Sequence, residues 1–418
     1  MDATSAIESV FREDSGRIIA SLIRISGSFD RAEEAVQEAF AAAMTAWPER
    51  GIPQNPAAWI MTAAHRKLID QGRHEKTKRD KEDSLRYEIE VVNSPTIPMT
   101  EEEFMHLPDD RLRLIFTCCH PALNREAQVA LTLRTLGGLT TPEIAKAFLL
   151  PEATLAQRLV RAKRKIAEAR IPYEVPPPEA LPDRLLSAQE VIYLIFNEGY
   201  TAASGSHLVR HDLCNEAIRL GRVLCTLLPK DAESLGLLTL MLLHDARREA
   251  RVKDGRLVTL EEQDRSLWDQ SKIAEGTAYL EQALRLRRIG PYQLQAAIIA
   301  VHCQAKTPEQ TDWRQIAGLY TRLLEINPSP VIALNRAVAV AMGQSLEAGL
   351  KEVDEIGSSG DLENYYLFHA TRADILRRMG NREQAAASYQ RALQLTTNVV
   401  EQAFLTRRLQ ETRGASAK

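Results

Sequence analysis

Apolar residues recur at intervals of three and four along most of the chain, which is the period of helices that bury one face. The segment Asp30–Trp47 is a clear example, because its alanines, Val36, Phe40, Met44 and Trp47 fall on a single stripe. No segment shows convincing alternation of apolar and polar positions, the pattern typical of a half-buried strand. The pattern therefore predicts an all-α chain.

The polar side of this first helix is acidic. Asp30 is predicted to cap its N-terminus, and Glu33, three residues later, completes a capping box. Glu34, Gln37 and Glu38 continue the same side. Taken alone, this pattern favours an ordinary core-packing helix over a binding surface.

Proline-rich stretches at 92–108 and 171–182 divide the chain, because prolines interrupt helices and favour extended backbone. We therefore predict helical units at 1–90, 108–170 and 187–418, joined by linkers at 91–107 and 171–186. The composition, with 44% hydrophobic and 26% charged residues, is that of a soluble globular protein. We find no signal peptide and no apolar run long enough to span a membrane, so we expect a cytoplasmic protein without a membrane partner.

A second motif combines an aromatic residue with positive charge. Residues 58–81 contain seven Lys and Arg against three acidic residues, and Trp59 stands at the head of the segment. Cations that neutralise phosphates beside an aromatic wall suit single-stranded nucleic acid. The alternative is a solvated basic helix end with Trp59 in the core.

Residues 139–166 carry the most specific pattern, that of a helix-turn-helix. Thr140 or Thr141 is predicted to cap a short helix, a turn follows at Leu149–Pro151, and a second helix begins near Glu152. Leu155, Leu159 and Ala162 are expected to be buried, while a polar N-terminal end and a basic flank stay exposed. Such a helix can read base edges in the major groove while its cations hold phosphates. An ordinary helical hairpin is the alternative.

The C-terminal half repeats a small–large–small spacing typical of packed helix pairs. Ala385, Tyr389 and Ala392 follow a turn at Gly380–Asn381, and Gly276, Leu280 and Ala283 repeat the spacing. This pattern predicts a domain similar to tetratricopeptide (TPR) repeats.

A polar cluster in this half is a candidate site for a regulatory ligand or partner. It contains no nucleophile–base pair and no metal-ligand set, so we expect neither an enzyme nor a bound metal. Ion pairs within one helix, such as Asp245 with Arg248, are the alternative. The cluster consists of Glu198, His244, Asp245, Arg248, Asp264 and Arg265.

The order of these motifs resembles that of extracytoplasmic-function (ECF) sigma factors. RAEEAVQEAF resembles their region 2.2, WIMTAAHRKLIDQGR is similar to their regions 2.3–2.4, and LTTPEIAKAFLLPEATLAQRLVRAKRKI resembles their region 4.2. Together these segments cover roughly residues 5–170. YLIFNEGY, LMLLHDARREAR and LEEQDRSLWD resemble a subgroup with a TPR-like C-terminal extension.

The resemblance implies a factor that binds RNA polymerase core, at the β′ clamp and the β flap, and directs initiation at promoter DNA without a cofactor. The implied core-binding residues are Glu33, Glu34, Val36, Gln37, Glu38 and Phe40. The implied −10 residues are Arg50, Asn55, Trp59, Arg66, Lys67, Asp70 and Arg73, with the loop Glu49–Pro56 cupping a flipped base. The implied −35 residues are Thr154, Gln157, Arg158, Arg161, Lys163 and Arg164, of which Arg158 is the best candidate for a bidentate base contact.

The sequence departs from the family pattern at several positions. Met44 stands where Trp is usual, Arg66 where Asn is usual, and Ala153, Ala156 and Gln157 where Gly, Lys and Ser are usual. The −35 sequence therefore cannot be inferred from relatives. A helix-turn-helix regulator with a TPR effector domain is the alternative function, although it leaves the first two motifs unexplained.

Overall fold

The computed structural model describes residues 2–80, 110–148, 150–200, 211–253, 256–396 and 398–414. Within these ranges, the side chains at 12–13, 71–80, 146–147, 211–212 and 256–257 lie outside the description. The chain divides into two compact units, Met1–Val191 and Ile192–Lys418. The predicted linker at 91–107 lies outside the described residues.

The first unit begins with four helices. These are α1 (Ala3–Glu13), α2 (Ser15–Ser26), α3 (Phe29–Arg50) and α4 (Pro56–Asp80). Ile18, Leu22, Ile60 and Met61 are almost fully buried and form part of its core.

Two details of α3 differ from the prediction. Ser28, not Asp30, caps the helix, because the Ser28 hydroxyl accepts a hydrogen bond from the Arg31 amide and Asp30 already lies in the first turn. The helix also continues past Trp47 to Arg50, with Pro48 inside it. The predicted base-cupping loop is therefore shorter, starting at Gly51, whose positive φ of 88° ends the helix.

The first unit continues with a second group of helices. These are α5 (Arg111–Cys118), α6 (Arg125–Thr135), α7 (Thr141–Ala147), α8 (Glu152–Glu168) and α9 (Leu181–Tyr200), the last of which contains the division between the units. Helix α9 begins inside the segment predicted as a linker, because a proline such as Pro182 is tolerated in the first turn of a helix. Arg184 near its start donates to the Phe116 carbonyl, and Glu190 pairs with Arg125.

The helix-turn-helix prediction is confirmed, and only Leu149 of its predicted turn lies outside the described residues. Thr140 and Glu143 form a capping box, in which the Thr140 amide donates to Glu143 Oε2 at 2.7 Å and the Glu143 amide donates to Thr140 Oγ1 at 3.4 Å. Helix α8 begins at Glu152 as predicted. Leu155, Leu159 and Ala162 are buried, which holds α8 against α6 and α7.

The second unit consists largely of helices that pack on their neighbours in sequence. They are α10 (His211–Leu227), α11 (Ala232–Asp245), α12 (Gln270–Arg285), α13 (Pro291–Gln304), α14 (Trp313–Ile326), α15 (Pro330–Gly343), α16 (Leu346–Gly357), α17 (Tyr366–Arg378), α18 (Arg382–Leu395) and α19 (Val399–Gly414). Strands β1 (Val252–Lys253) and β2 (Arg256–Leu257) form a short antiparallel pair that the sequence pattern did not predict. The all-α prediction is otherwise confirmed.

The small–large–small residues lie where helices approach closely. Ala385, Tyr389 and Ala392 are buried on α18, and Gly276 on α12 faces Leu243 of α11, where an added Cβ would lie 3.0 Å from Leu243 Cδ2. Small residues thus allow close helix contact in this unit, as the spacing predicted.

Gly349 provides a test of this packing. A Cβ at Gly349 would lie 2.3 Å from Ala341 Cβ and 2.8 Å from the Ala337 carbonyl oxygen, across the α15–α16 contact. We expect Gly349→Ala to lower the free energy of unfolding by about 1–3 kcal/mol. The matched control is Gly318→Ala on exposed α14 surface, where nothing lies within 4 Å of the added Cβ. The control should raise stability by about 0.5–1 kcal/mol. Urea denaturation followed by circular dichroism measures both, and equal effects would contradict the close approach.

Candidate nucleic-acid and polymerase interfaces

The predicted core-binding residues on α3 divide into a buried and an exposed set. Val36 and Phe40 are 3% and 8% exposed, and the Phe40 ring packs edge-on against Phe11 with centroids 5.2 Å apart. Glu34 and Gln37 are exposed. Glu38 is half-buried and pairs with Lys67 at 3.1 Å. Val36 and Phe40 therefore belong to the core, and Glu34 and Gln37 are the predicted core-binding residues that lie on the exposed side of α3.

Met44 was predicted to lie in the apolar stripe, but this is wrong, because its side chain is 67% exposed. It follows Gln37 by seven residues, so Met44, Gln37 and Glu34 share one face of α3. The spacing of seven residues was the signal that could have assigned Met44 to this face. We call Glu34, Gln37 and Met44 the exposed α3 face.

Glu33 does not point freely to solvent. Its carboxylate is 13% exposed and accepts a hydrogen bond from Lys163 Nζ of α8 at 2.8 Å, while the same Nζ bonds to Asp30 at 2.9 Å. Burial alone would lower the pKa of Lys163, but Glu33 and Asp30 raise it above its ordinary value. Lys163, which was expected to hold DNA phosphates, is therefore occupied within the chain.

Further contacts join the same two parts of the first unit. Arg24 of α2 pairs at 2.7 Å with Asp110, whose side chain is 1% exposed, and the Tyr173 hydroxyl donates to the Ala20 carbonyl at 2.8 Å. Gly16 lies so close to α6 that an added Cβ would be 3.0 Å from the Leu136 carbonyl oxygen. Helices α2 and α3 thus pack against the segment that contains the helix-turn-helix. We call this arrangement the closed form.

The predicted −10 residues lie around the start of α4. Arg66, Lys67 and Asp70 are exposed, and Arg50 is exposed at the end of α3. The Arg73 side chain lies outside the described residues. The exposed cations leave this end of α4 accessible to a nucleic-acid backbone.

Asn55 and Trp59 have structural roles in this region. The Asn55 side chain caps α4 by accepting the Ala58 amide at 2.9 Å. Trp59 is half-buried and packs edge-on against Trp47 with centroids 5.6 Å apart. This arrangement fits an aromatic residue that supports the loop from the core.

The predicted −35 residues lie along α8. Thr154, Gln157, Arg161 and Arg164 are exposed. Arg158 is 26% exposed in its side chain and pairs with Glu126 of α6 at 3.2 Å. Thr154, Gln157, Arg158 and Arg161 line one cleft between α8 and the N-terminal end of α6. The polar, basic half of α8 is thus presented to solvent, as a major-groove reader requires.

The C-terminal cluster is partly built into the fold. Asp245 is buried between Lys272 at 2.7 Å and Arg248 at 3.6 Å, so the predicted Asp245–Arg248 ion pair is present. Asp264 is exposed and accepts from the Ser266 amide and hydroxyl, while Glu198 is half-buried on α9. These contacts are structural, although they do not account for every charged group of the cluster.

The histidine and arginine of the cluster have different partners. His244 Nδ1 accepts from Arg247 at 3.0 Å and lies 3.2 Å from the Tyr200 hydroxyl. Burial, with Arg247 and Arg251 nearby, lowers the pKa of His244 well below its ordinary value. Arg265 donates to the His302 carbonyl at 2.7 Å and to that of Ala305. Sequence reasoning missed how deeply Arg247 is buried.

Within the described ranges, no helix is both long enough and apolar enough to span a bilayer.

Three family models match successive parts of the chain. Residues 10–78 match sigma-70 region 2, and residues 113–166 match sigma-70 region 4. Residues 184–284 match a family of unknown function, DUF6596. An uncharacterized protein of Rhizobium meliloti (strain 1021) is 41% identical over 395 residues, which cover 94% of this chain and 92% of the relative.

The two sigma matches coincide with the described surfaces. The region 2 match contains α3 and nearly all of α4, and the region 4 match contains α7 and most of α8. Together these regions imply RNA polymerase core and promoter DNA as partners. The chain therefore belongs to the sigma-70 family, as an ECF-like sigma factor for promoter recognition that carries an additional C-terminal domain.

Proposed function

We propose that this sigma factor binds RNA polymerase core through the exposed α3 face and directs initiation by reading the −10 element with α4 and the −35 element with α8. The observation that carries the proposal is the exposure of polar and basic residues on helices that lie within the two sigma matches. The C-terminal unit would regulate this activity.

Core binding would use an apolar side chain surrounded by polar ones. Met44 is 67% exposed beside Glu34 and Gln37, and such a flexible apolar group suits the centre of a protein interface. Phe40 and Val36 are buried, so they would hold α3 in place from the core side of the helix.

Promoter opening would depend on the start of α4. Arg66, Lys67 and Arg50 would hold phosphates, while the short loop from Gly51 to Asn55 would receive an unstacked base. Unstacking a base costs a few kcal/mol, so the energy of base capture decides which promoters open.

The −35 element would be read by the exposed half of α8. Arg161 has no ion-pair partner among the described residues and borders the α8 cleft with Gln157 and Thr154. A bidentate arginine contact to guanine distinguishes base pairs by about 1–3 kcal/mol. Arg158 would reach a base only after leaving Glu126.

The closed form would have to open before both elements are read. The positions −10 and −35 differ by about 25 base pairs, which corresponds to about 85 Å at the ~3.4 Å rise of duplex DNA. A compact unit the size of Met1–Val191 has a radius of gyration of only about 16 Å. Release of Lys163 from Glu33 and Asp30 would free a phosphate contact and separate the two DNA-reading parts.

Transcription in vitro with purified core polymerase tests the proposal. We expect the full chain to bind core stoichiometrically and to start transcription at specific promoters selected from genomic DNA. Specific DNA binding without any association with core polymerase would instead identify a conventional helix-turn-helix regulator and refute the proposal.

The closed form makes a separate prediction. In the double variant Asp30→Asn with Glu33→Gln, the carboxylates that hold Lys163 are removed. We expect a larger radius of gyration in small-angle scattering and about 2–10-fold tighter binding of −35 duplex DNA without polymerase, because partly exposed ion pairs each contribute about 1 kcal/mol or less. Glu34→Gln, on the exposed side of the same helix, is the matched control. An unchanged scattering curve together with unchanged DNA affinity would show that these ion pairs do not hold the chain closed.

A further inference from the structure

Arg247 is a buried cation that pairs with no carboxylate of the described residues. It follows α11, is 5% exposed, and its Nη2 donates a hydrogen bond to His244 Nδ1 at 3.0 Å. Its Nε–H is buried and has no acceptor among the described residues. Removing a guanidinium from water without a counter-charge is costly, so this position needs an explanation.

Two more unpaired donors lie around the same indole ring. The Trp268 ring centroid is 5.9 Å from Arg247 Cζ and 4.6 Å from Arg265 Cζ. Trp268 is 4% exposed, and neither its indole N–H nor the buried Nε–H of Arg265 has an acceptor in the described part of the chain. Trp268 and the two arginines beside its ring thus each have one buried N–H without an acceptor in the ranges that the structure describes.

Part of the local positive charge has an ordinary structural explanation. Arg265 donates to carbonyls at the C-terminal end of α13, and Arg251 donates to the Tyr200 carbonyl at the C-terminal end of α9. Cations at helix C-termini are stabilised by the unpaired carbonyls there. For Arg247 the described part of the chain provides no such carbonyl, and the acceptor there is an imidazole nitrogen.

The surroundings add no compensating negative charge. Among the described residues, Arg247, Arg251 and Arg265 form no ion pair, and the exposed Glu309 influences Arg265 only from beyond ion-pair distance. Asp245 is already held by Lys272 and Arg248. Burial, with Arg247 and Arg265 nearby, lowers the pKa of His302 to about 4, so this imidazole adds no charge at neutral pH.

We propose that Arg247, Arg265 and Trp268 form a binding site for a tetrahedral oxyanion, either free phosphate or the phosphoryl group of a small metabolite. Two guanidinium groups beside one indole ring, each of the three side chains with a buried N–H that lacks an acceptor in the described ranges, suit an anion with several acceptor oxygens. Arg265 is only partly buried, so the site reaches the surface at that residue. The site does not depend on the promoter function, although it would supply the C-terminal unit with a ligand to sense.

Binding to the full chain tests this site directly. Titration calorimetry and thermal unfolding would use inorganic phosphate, sulfate and ADP as probes, each against chloride at the same ionic strength. At ten times the dissociation constant, we expect phosphate to raise the unfolding midpoint of the C-terminal unit by about 3–6 °C. A response to ADP alone would support a phosphoryl-bearing metabolite, and a response to none of the probes beyond that to chloride would overturn the proposal.

Substitution of Arg247 separates binding from structure. In Arg247→Gln, phosphate affinity should fall about tenfold or more, because a charged hydrogen-bond donor is lost. In chloride, the free energy of unfolding of this variant should equal or exceed that of the unaltered chain, because an uncompensated buried charge is removed. The control is Arg285→Gln, which changes a 79% exposed arginine of α12 and should leave phosphate binding unaltered.

A second substitution keeps the test valid if Arg247→Gln does not fold. Trp268→Phe retains an aromatic ring between the arginines and removes the indole N–H, so phosphate should bind several-fold more weakly. A variant that loses stability in chloride but keeps the full phosphate response would show that the cluster is structural and refute the site.

Discussion

Replacing Arg161 by alanine is expected to reduce transcription from the cognate promoter about 10- to 100-fold, the effect of losing one bidentate base contact. Arg161 is exposed on α8, and it lines the same cleft as Thr154 and Gln157 at the polar half of that helix. Because it has no ion pair to break among the described residues, its guanidinium is ready to bind DNA. The measurement is in vitro transcription with core polymerase on promoters first selected with the unaltered chain.

The matched control is Arg164→Ala on the same helix. Arg164 is 67% exposed and pairs only weakly with Glu168, at 3.5 Å, four residues later. If Arg164 contacts a phosphate, Arg164→Ala should weaken binding to all DNA sequences alike. The slope of log affinity against log salt concentration should then fall by about one. Full promoter selectivity in Arg161→Ala would show that another residue of α8 reads the base.

The structure also explains why Arg158 is a weaker candidate than the sequence indicated. Its spacing on α8 places it near Gln157 and Arg161, but its pairing with Glu126 depends on how α6 packs against α8. Periodicity along one helix cannot reveal a partner from another helix. Arg158 therefore has to exchange an ion pair before it binds DNA, whereas Arg161 does not.

Local features of the fold could be predicted because their determinants lie close together in the sequence. The capping box of Thr140 and Glu143 spans three residues, and the buried face of α8 follows from its apolar spacing. The cap of α3 was misplaced because Ser28 and Asp30 are both good capping residues, and only the backbone decides between them.

Long-range contacts could not be predicted in this way. Lys163 and Glu33 are separated by 130 residues, and their ion pair depends on the packing of α2 and α3 against the helix-turn-helix segment. Likewise, the sequence shows several arginines near His244, but not which of them is buried without a carboxylate. The closed form and the proposed anion site depend on these two features, which the motifs alone do not specify.

Helix α9 affects how the C-terminal unit can be separated from the rest. A truncation near Pro176 would remove Arg184 and Glu190, which hold Phe116 and Arg125 within the first unit. A loss of promoter activity after that truncation would therefore report damage to the first unit as well as loss of regulation. A chain that ends after Tyr200 keeps these contacts and is the better comparison.

Replacing Phe40 and Met44 separately should distinguish support of the polymerase-binding surface from direct binding. Phe40→Ala removes a ring that is 8% exposed and packs on Phe11, so we expect the free energy of unfolding to fall by about 3–5 kcal/mol. Met44→Ala changes a side chain that is 67% exposed and should alter stability by less than about 0.5 kcal/mol.

The affinity for core polymerase should depend directly on Met44, whose substitution hardly changes the free energy of unfolding. Met44→Ala, with its fold intact, should weaken core binding about 5–10-fold, the effect of a moderate interface residue. Thr45→Ala, exposed at the next position, is the control and should leave both quantities unchanged. Urea denaturation and fluorescence anisotropy with labelled core measure the two effects. If Met44→Ala binds core normally while a folded Phe40→Ala does not, then the binding surface lies on the Phe40 side of α3, and the exposed α3 face is the wrong assignment.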